Sequence, residues 1–210
     1  MIIVSMLRNI SVCIILPLLL GSCLTAKDFY APEHIRVSPI NGGGTWYEYA
    51  LDGIDKSKPH LRNSKEQLFV EFKKNGSCYT GTEPSMEQTK YWTVFEFRPN
   101  RLWIILETFS DCNKSEKLDG DIKYLMKIPT HNSITDYVYG VATVDENAVA
   151  KWAGNLSWSK RKRYGVSVEE NNKNKWGFSN IEGAKAVFEQ NLDDIKIFEV
   201  AYSPVKAQAK

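Results

Sequence analysis

The chain has 210 residues, 43% hydrophobic, 25% charged and 12% aromatic, with 27 basic and 25 acidic side chains and a net charge of +2. That is enough apolar material for one domain with a sizeable core, and it excludes disorder, collagen and coiled coil. The near-balance of charge also argues against a chain-wide basic field of the kind that draws proteins to nucleic acid.

In chain order, residues 1–26 read as a secretory signal peptide. Arg8 is their only charge, Val12–Leu20 is an apolar run, and Gly21, Ser22, Thr25 and Ala26 supply a small-residue exit. The run is too short to span a bilayer. The cut is placed after Ala26 with its position left open. Leu20-Gly21-Ser22-Cys23 is similar to a bacterial lipobox, in which the cysteine is lipidated and tethers the protein to a membrane. Removing the signal leaves 26 basic against 25 acidic residues and two cysteines, Cys78 and Cys112, 34 positions apart. In an oxidising compartment these two form one disulfide. Asn75, Asn113 and Asn155 head Asn-x-Ser sequons and are glycosylation candidates. His34, His60 and His131 are scattered, and no metal site is expected.

After a Pro- and Gly-bearing lead, Pro32 to Gly44, segments rich in aromatic and β-branched residues alternate with turn residues. Strands are predicted over Thr45–Leu51, Gln67–Lys73, Tyr91–Phe97, Leu102–Phe109, Ile122–Ile128, Asp136–Val144 and Leu156–Val168. Asn75-Gly76, Pro99-Asn100, Asp119-Gly120 and Asp145-Glu146-Asn147 carry hairpin-turn chemistry. The connectors predict antiparallel pairing. Ile181–Gln190 is predicted as a helix, with Ile181, Ala184, Val187 and Phe188 on one stripe and Ser179 or Asn180 as cap. The run Ile195–Val200 alternates as a half-buried strand, and residues 205–210 form an expected disordered tail. Leu102–Leu106 is apolar on both faces, so one face needs a cover, and the Ile181–Gln190 helix is the candidate.

Gly44-Thr45-Trp46-Tyr47-Glu48 at the first strand, and Thr135-Asp136-Tyr137 with Tyr139 about ninety residues later, resemble the first two signature motifs of the lipocalins. The closing order, a helix, Leu192-Asp193-Asp194 and the strand Ile195–Tyr202, is similar too, so the resemblance runs from Gly44 to Tyr202. It implies an all-β fold: an eight-stranded antiparallel up-and-down barrel over residues 27–204, with one C-terminal flanking helix and a short final strand. It also implies a secreted carrier of a small hydrophobic molecule. The family's last-strand Arg would be Arg161 or Arg163, stacked across Trp46. Neither makes a clean match, and the stretch Tyr164–Phe178 is longer than the family pattern. Gly44, Trp46, Thr135, Asp136, Tyr137 and Arg161 are then structural, the Trp ring plugging one barrel end.

Positions in phase with Trp46 place Glu48 and Ala50 toward the cavity, and alternation adds Val70, Phe72, Phe95, Phe97, Tyr124, Met126, Tyr137 and Tyr139. Aromatics mixed with Met suit an apolar, adaptable wall, and equally a filled core. Glu48 reads either as a ligand anchor, as a partner of Arg161, or as a solvated group near the barrel end. Three functions follow: a secreted carrier of a pigment, retinoid or fatty acid with no covalent cofactor, a lipid-handling lipoprotein anchored through Cys23, and a calycin-type barrel enzyme using Glu48. No nucleophile elbow, phosphate loop or His-Glu-x-x-His run is present, so no catalytic residue is named. The run Lys160–Arg163 with Trp158 reads as a solvated hairpin or a contact for anionic surfaces.

Overall fold

The computed structural model describes residues 24–37, 44–52, 60–61, 69–75, 78–82, 89–129, 136–169 and 172–203. The strands are β1 (Leu24–Tyr30), β2 (Gly44–Asp52), β3 (His60–Leu61), β4 (Phe69–Asn75), β5 (Cys78–Thr82), β6 (Lys90–Arg98), β7 (Leu102–Thr108), β8 (Lys117–Pro129), β9 (Tyr137–Val144), β10 (Val166–Glu169), β11 (Asn172–Phe178) and β12 (Ile195–Ser203). The helices are α1 (Glu146–Gly154), α2 (Trp158–Arg163) and α3 (Ile181–Gln190).

The chain is mostly β, as its alternation predicts. The strands form one sheet in the order β10-β11-β1-β8-β7-β6-β5-β4-β2-β12-β9, with β3 on β2 and a further β8–β9 pairing. The sheet is mixed. Every pairing is antiparallel except β1 with β11, where Leu24, Thr25 and Ala26 face Trp176, Gly177 and Phe178. β1, β10 and β11 are a wing on β8 that a purely antiparallel reading does not contain. β12 is no short appendage: it runs nine residues and pairs with both β2 and β9.

The expected boundary between residues 26 and 27 falls inside β1. Leu24 is completely buried and Ala26 nearly so, both in the main apolar cluster. The folded unit therefore takes in residues from Leu24 onward. Leu24, Thr25 and Ala26 continue the apolar and small-residue character of the export-like run directly before them, which is why the sequence assigns them to the signal. Residues 1–23 and the tail 205–210 lie outside the described residues.

The predicted strand Leu156–Val168 is instead α2 followed by β10. Ser157 caps α2 by accepting the Lys160 N–H, and the Lys/Arg run has better helix than strand propensity. The predicted turn at Asp145 begins α1. The Asp145 carboxylate accepts the N–H groups of Asn147 and Ala148, and the same residue types serve turns and helix caps. α3 has the predicted bounds, with Asn180 as its cap accepting the Gly183 N–H.

Cys78 and Cys112 form the expected disulfide, joining the start of β5 to the loop before β8. Arg36 holds that loop from below. Its Nε donates to the Ala31 carbonyl at 2.8 Å, Nη1 to the Cys112 carbonyl at 2.8 Å and Nη2 to the Ser115 carbonyl at 3.1 Å. Burial lowers the Arg36 pKa, although Glu33 and Glu116 oppose the shift.

Candidate functional site

Strands β6 to β9 have two dry faces of different composition. On one, Phe95, Leu102, Ile104, Leu106, Ile122, Tyr124 and Ala142 join Leu24 and Phe29 of β1, Val149 of α1 and Val187 and Phe188 of α3. α3 lies on this face. Tyr124 donates its hydroxyl to the Ala184 carbonyl at 2.7 Å, and the Phe188 ring sits 4.5 Å from Tyr124 and 5.5 Å from Phe97. The helix thus covers the strand Leu102–Thr108, as its two-sided apolar pattern requires.

The second face is aromatic. Tyr79, Trp92, Val94, Trp103, Ile105, Leu125, Tyr139 and Val141 form one buried cluster, with Val37, Tyr137 and Tyr202 packed against it. Its rings meet edge-on or tilted: Trp92 with Tyr202 at 5.9 Å, Trp103 with Tyr139 at 5.8 Å, and Tyr137 with Tyr139 at 5.5 Å. The Lys127 ammonium lies 3.8 Å from the Tyr137 ring centre. Burial and then the Tyr137 hydroxyl push the Tyr139 pKa up to about 12, so the Tyr139 phenol keeps its proton at physiological pH.

A charged pair is set into this face. Glu107 is 9% exposed; its carboxylate accepts from Lys123 Nζ at 2.7 Å and from Trp92 Nε1 at 3.0 Å, with Lys90 Nζ at 3.6 Å. Burial alone would raise the carboxyl pKa, but the Lys123 ammonium, Lys90 and the Trp92 N–H outweigh it and hold the group below its ordinary range. On β9, Thr143 lies two residues beyond Val141, and its buried hydroxyl has no hydrogen-bond partner among the described residues. A dry aromatic wall with a few fixed polar groups is the chemistry of a small-molecule site.

The predicted lining divides between the two faces. Tyr137 and Tyr139 belong to the aromatic face, whereas Phe95, Phe97, Tyr124 and Met126 belong to the helix-covered one. Period-two alternation tells which residues share a face and not what covers it, and on β6 and β8 the predicted residues lie on the face under α3. Glu48, Ala50, Val70 and Phe72 lie on β2 and β4, where Glu48 pairs with Tyr202, Ala50 with Val200, Trp46 with Val70 and Gly44 with Phe72. Thr135 falls outside the described residues, and Asp136 is exposed at the start of β9. Arg161 is a correction: it lies on α2 and not on a barrel strand, and its Nη2 donates to the Gly154 carbonyl at 3.1 Å.

Asn113 and Asn155 are exposed, and Asn75 ends β4 opposite Cys78. Cys78, Asp111 and Cys112 offer ligand atoms within 4.8 Å of one another, but both sulfurs are committed to the disulfide. The sequence pattern does not single out Glu107, Lys123 or Trp92. The available signal was a lone carboxylate in the apolar run Leu102–Thr108, facing a strand with a lysine between Ile122 and Tyr124.

No family model matches the chain, and neither a curated protein nor a solved structure matches it.

Proposed function

We propose that this protein is an extracytoplasmic carrier of one small hydrophobic molecule, held on the aromatic face inside a lipocalin-like barrel. On this reading the barrel strands are β2, β4 to β9 and β12, and the additional β8–β9 pairing supports their joining into one circuit. The observation that carries the reading is the aromatic cluster, which draws side chains from β5, β6, β7, β8, β9 and β12 onto one face and sets the Glu107–Lys123 pair among them. Glu107, Lys123 and the Thr143 hydroxyl orient the cargo, and the rings supply the contact area. No described helix is long and apolar enough to cross a membrane, and the disulfide is compatible with an oxidising compartment.

The test is native mass spectrometry of protein recovered from its source, followed by Trp-emission titration with retinol, palmitate and a linear tetrapyrrole. The expected result is saturable quenching by one of these at one molecule per chain. No co-purified molecule and no saturable response would contradict the reading.

The burial of Leu24 favours a second reading of the N-terminus, processing at the lipobox-like Ser22-Cys23 junction instead of after Ala26. A cut after Ala26 would remove all three β1–β11 pairings. Mass spectrometry of the mature N-terminus decides it: a diacylated Cys23 supports the anchor, and a chain beginning at Lys27 excludes it.

A further inference from the structure

We propose that α2 is a docking surface for an anionic phospholipid membrane. The helix is short and almost entirely solvent-exposed. Trp158 is 76% exposed, the most exposed large hydrophobic side chain among the described residues. It is followed by Ser159 and four consecutive cations, Lys160, Arg161, Lys162 and Arg163. Lys160, Lys162 and Arg163 have no carboxylate partner among the described residues; Lys162 and Arg163 meet only the Trp158 and Tyr164 rings there.

Trp158 and Lys162 act on the same side, and Lys160 and Arg163 add charge at the flanks of the helix. Lys162 stands one helical turn after Trp158, with its Nζ 5.4 Å from the indole ring centre. An indole beside ammonium groups matches the lipid headgroup layer, where the ring sits at the interface and the cations meet phosphates. Arg161 is the anchor of the surface: it is half-buried and tied to the Gly154 carbonyl, fixing α2 to the end of α1.

The position of α2 in the fold supports the same occupant. Arg161 and Lys162 share the wall of a groove of about 780 Å³ with Thr25, Lys27 and Asp28 of β1. β1 follows directly on Cys23 in the sequence, so if Cys23 is the anchored N-terminus, the reading proposed above, the basic helix stands beside the strand that leaves the membrane. Asp28 and Asp119 also line the groove, and the Asp28 N–H donates to the Asp119 carboxylate at 2.7 Å. A free polyanion would meet those carboxylates on entering the groove, whereas a flat bilayer touches only the exposed cations and the ring.

Each cation near an anionic leaflet is worth about 1 kcal/mol, or about fivefold in partitioning. Reversing Lys160, Lys162 and Arg163 to Glu is therefore expected to weaken binding by at least about a hundredfold. The experiment uses the mature exported protein with vesicles of phosphatidylcholine containing one third phosphatidylglycerol, against pure phosphatidylcholine. Trp emission is the readout, and its difference from that of Trp158→Ser reports α2 among the six tryptophans, separately from any acyl chain at the N-terminus. A blue shift is expected on the anionic vesicles alone, suppressed by salt, lost in Trp158→Ser and in the triple Glu variant, and kept in Lys160→Arg/Lys162→Arg. Near-UV circular dichroism of each variant checks that the fold is intact.

No shift on anionic vesicles, or an equal shift on both vesicle types that survives charge reversal, would overturn the proposal. So would binding of single-stranded RNA through the same three cations with no response to vesicles. Trp103→Leu should leave the vesicle response unchanged, so the outcome is separable from that of the carrier reading.

Discussion

Two faces of one set of strands do different work. On the face under α3, Phe95, Ile104 and Tyr124 are completely buried among aliphatic and aromatic neighbours, and the Tyr124 hydroxyl is spent on the Ala184 carbonyl. On the opposite face lie Trp92, Trp103 and Tyr139, and Trp92 donates to a buried carboxylate with two ammonium groups nearby. The first face is covered by a helix of the same chain, whose Ala184 carbonyl takes the Tyr124 hydroxyl. The second holds charged groups in a dry wall, an arrangement that is weak as a stabilising device and well suited to orienting a ligand.

The largest effect should come from the helix-covered face. Phe188→Ala removes the ring that packs on both Tyr124 and Phe97. It should cost about 3–5 kcal/mol of unfolding free energy by urea denaturation. Ligand affinity, measured under conditions where the variant is folded, should be unchanged. A variant that keeps its stability but loses binding would reverse the roles of the faces.

On the aromatic face, Glu107→Gln strips Lys123 of its counter-charge and should cost about 2–3 kcal/mol. The pH dependence follows from the lowered Glu107 pKa. The folded carboxyl keeps its charge to lower pH than the unfolded one, so its stabilisation is complete above the ordinary Glu value of 4.5 and is lost as pH falls below it. Wild type should therefore show an acid-dependent loss of stability that Glu107→Gln lacks. Equal acid profiles for the two would remove the pair from the account of this face.

A smaller effect is expected where α3 meets the wing. A Cβ on Gly183 would stand 2.1 Å from the Tyr164 carbonyl oxygen, a contact that the backbone must relieve by moving. Gly183→Ala gains about 1 kcal/mol of helix propensity, yet overpacking costs about 1–3 kcal/mol. A net loss of about 1 kcal/mol, read as a lower thermal midpoint, is expected, and a higher midpoint would show that α3 is free to shift on the sheet.

Much of the scaffold was legible in the sequence because local chemistry fixed it. Alternation located β2, β4, β6, β7, β8, β9 and β12, and the stripe with its Asn180 cap located α3. What was not legible depended on tertiary context. Leu24–Ala26 continue an export-like apolar run, and only pairing with β11 distinguishes them from it. Asp145 could begin a turn or cap a helix with the same carboxylate. Which sheet face a helix covers depends on where α1, α3 and β1 pack, and those packings join residues far apart in the chain. Alternation alone therefore groups Phe95, Phe97, Tyr124 and Met126 with Tyr139 and does not single out Glu107 and Lys123.

The most direct measurement is a single ligand titration on two variants of opposite faces, Trp103→Leu and Phe97→Leu, with the hydrophobic molecule identified in the wild type. Affinity should fall by at least about tenfold in Trp103→Leu, the equivalent of about 1.4 kcal/mol, and stay within twofold of wild type in Phe97→Leu. Lost binding in Phe97→Leu with full binding in Trp103→Leu would contradict the assignment of the aromatic face as the ligand site.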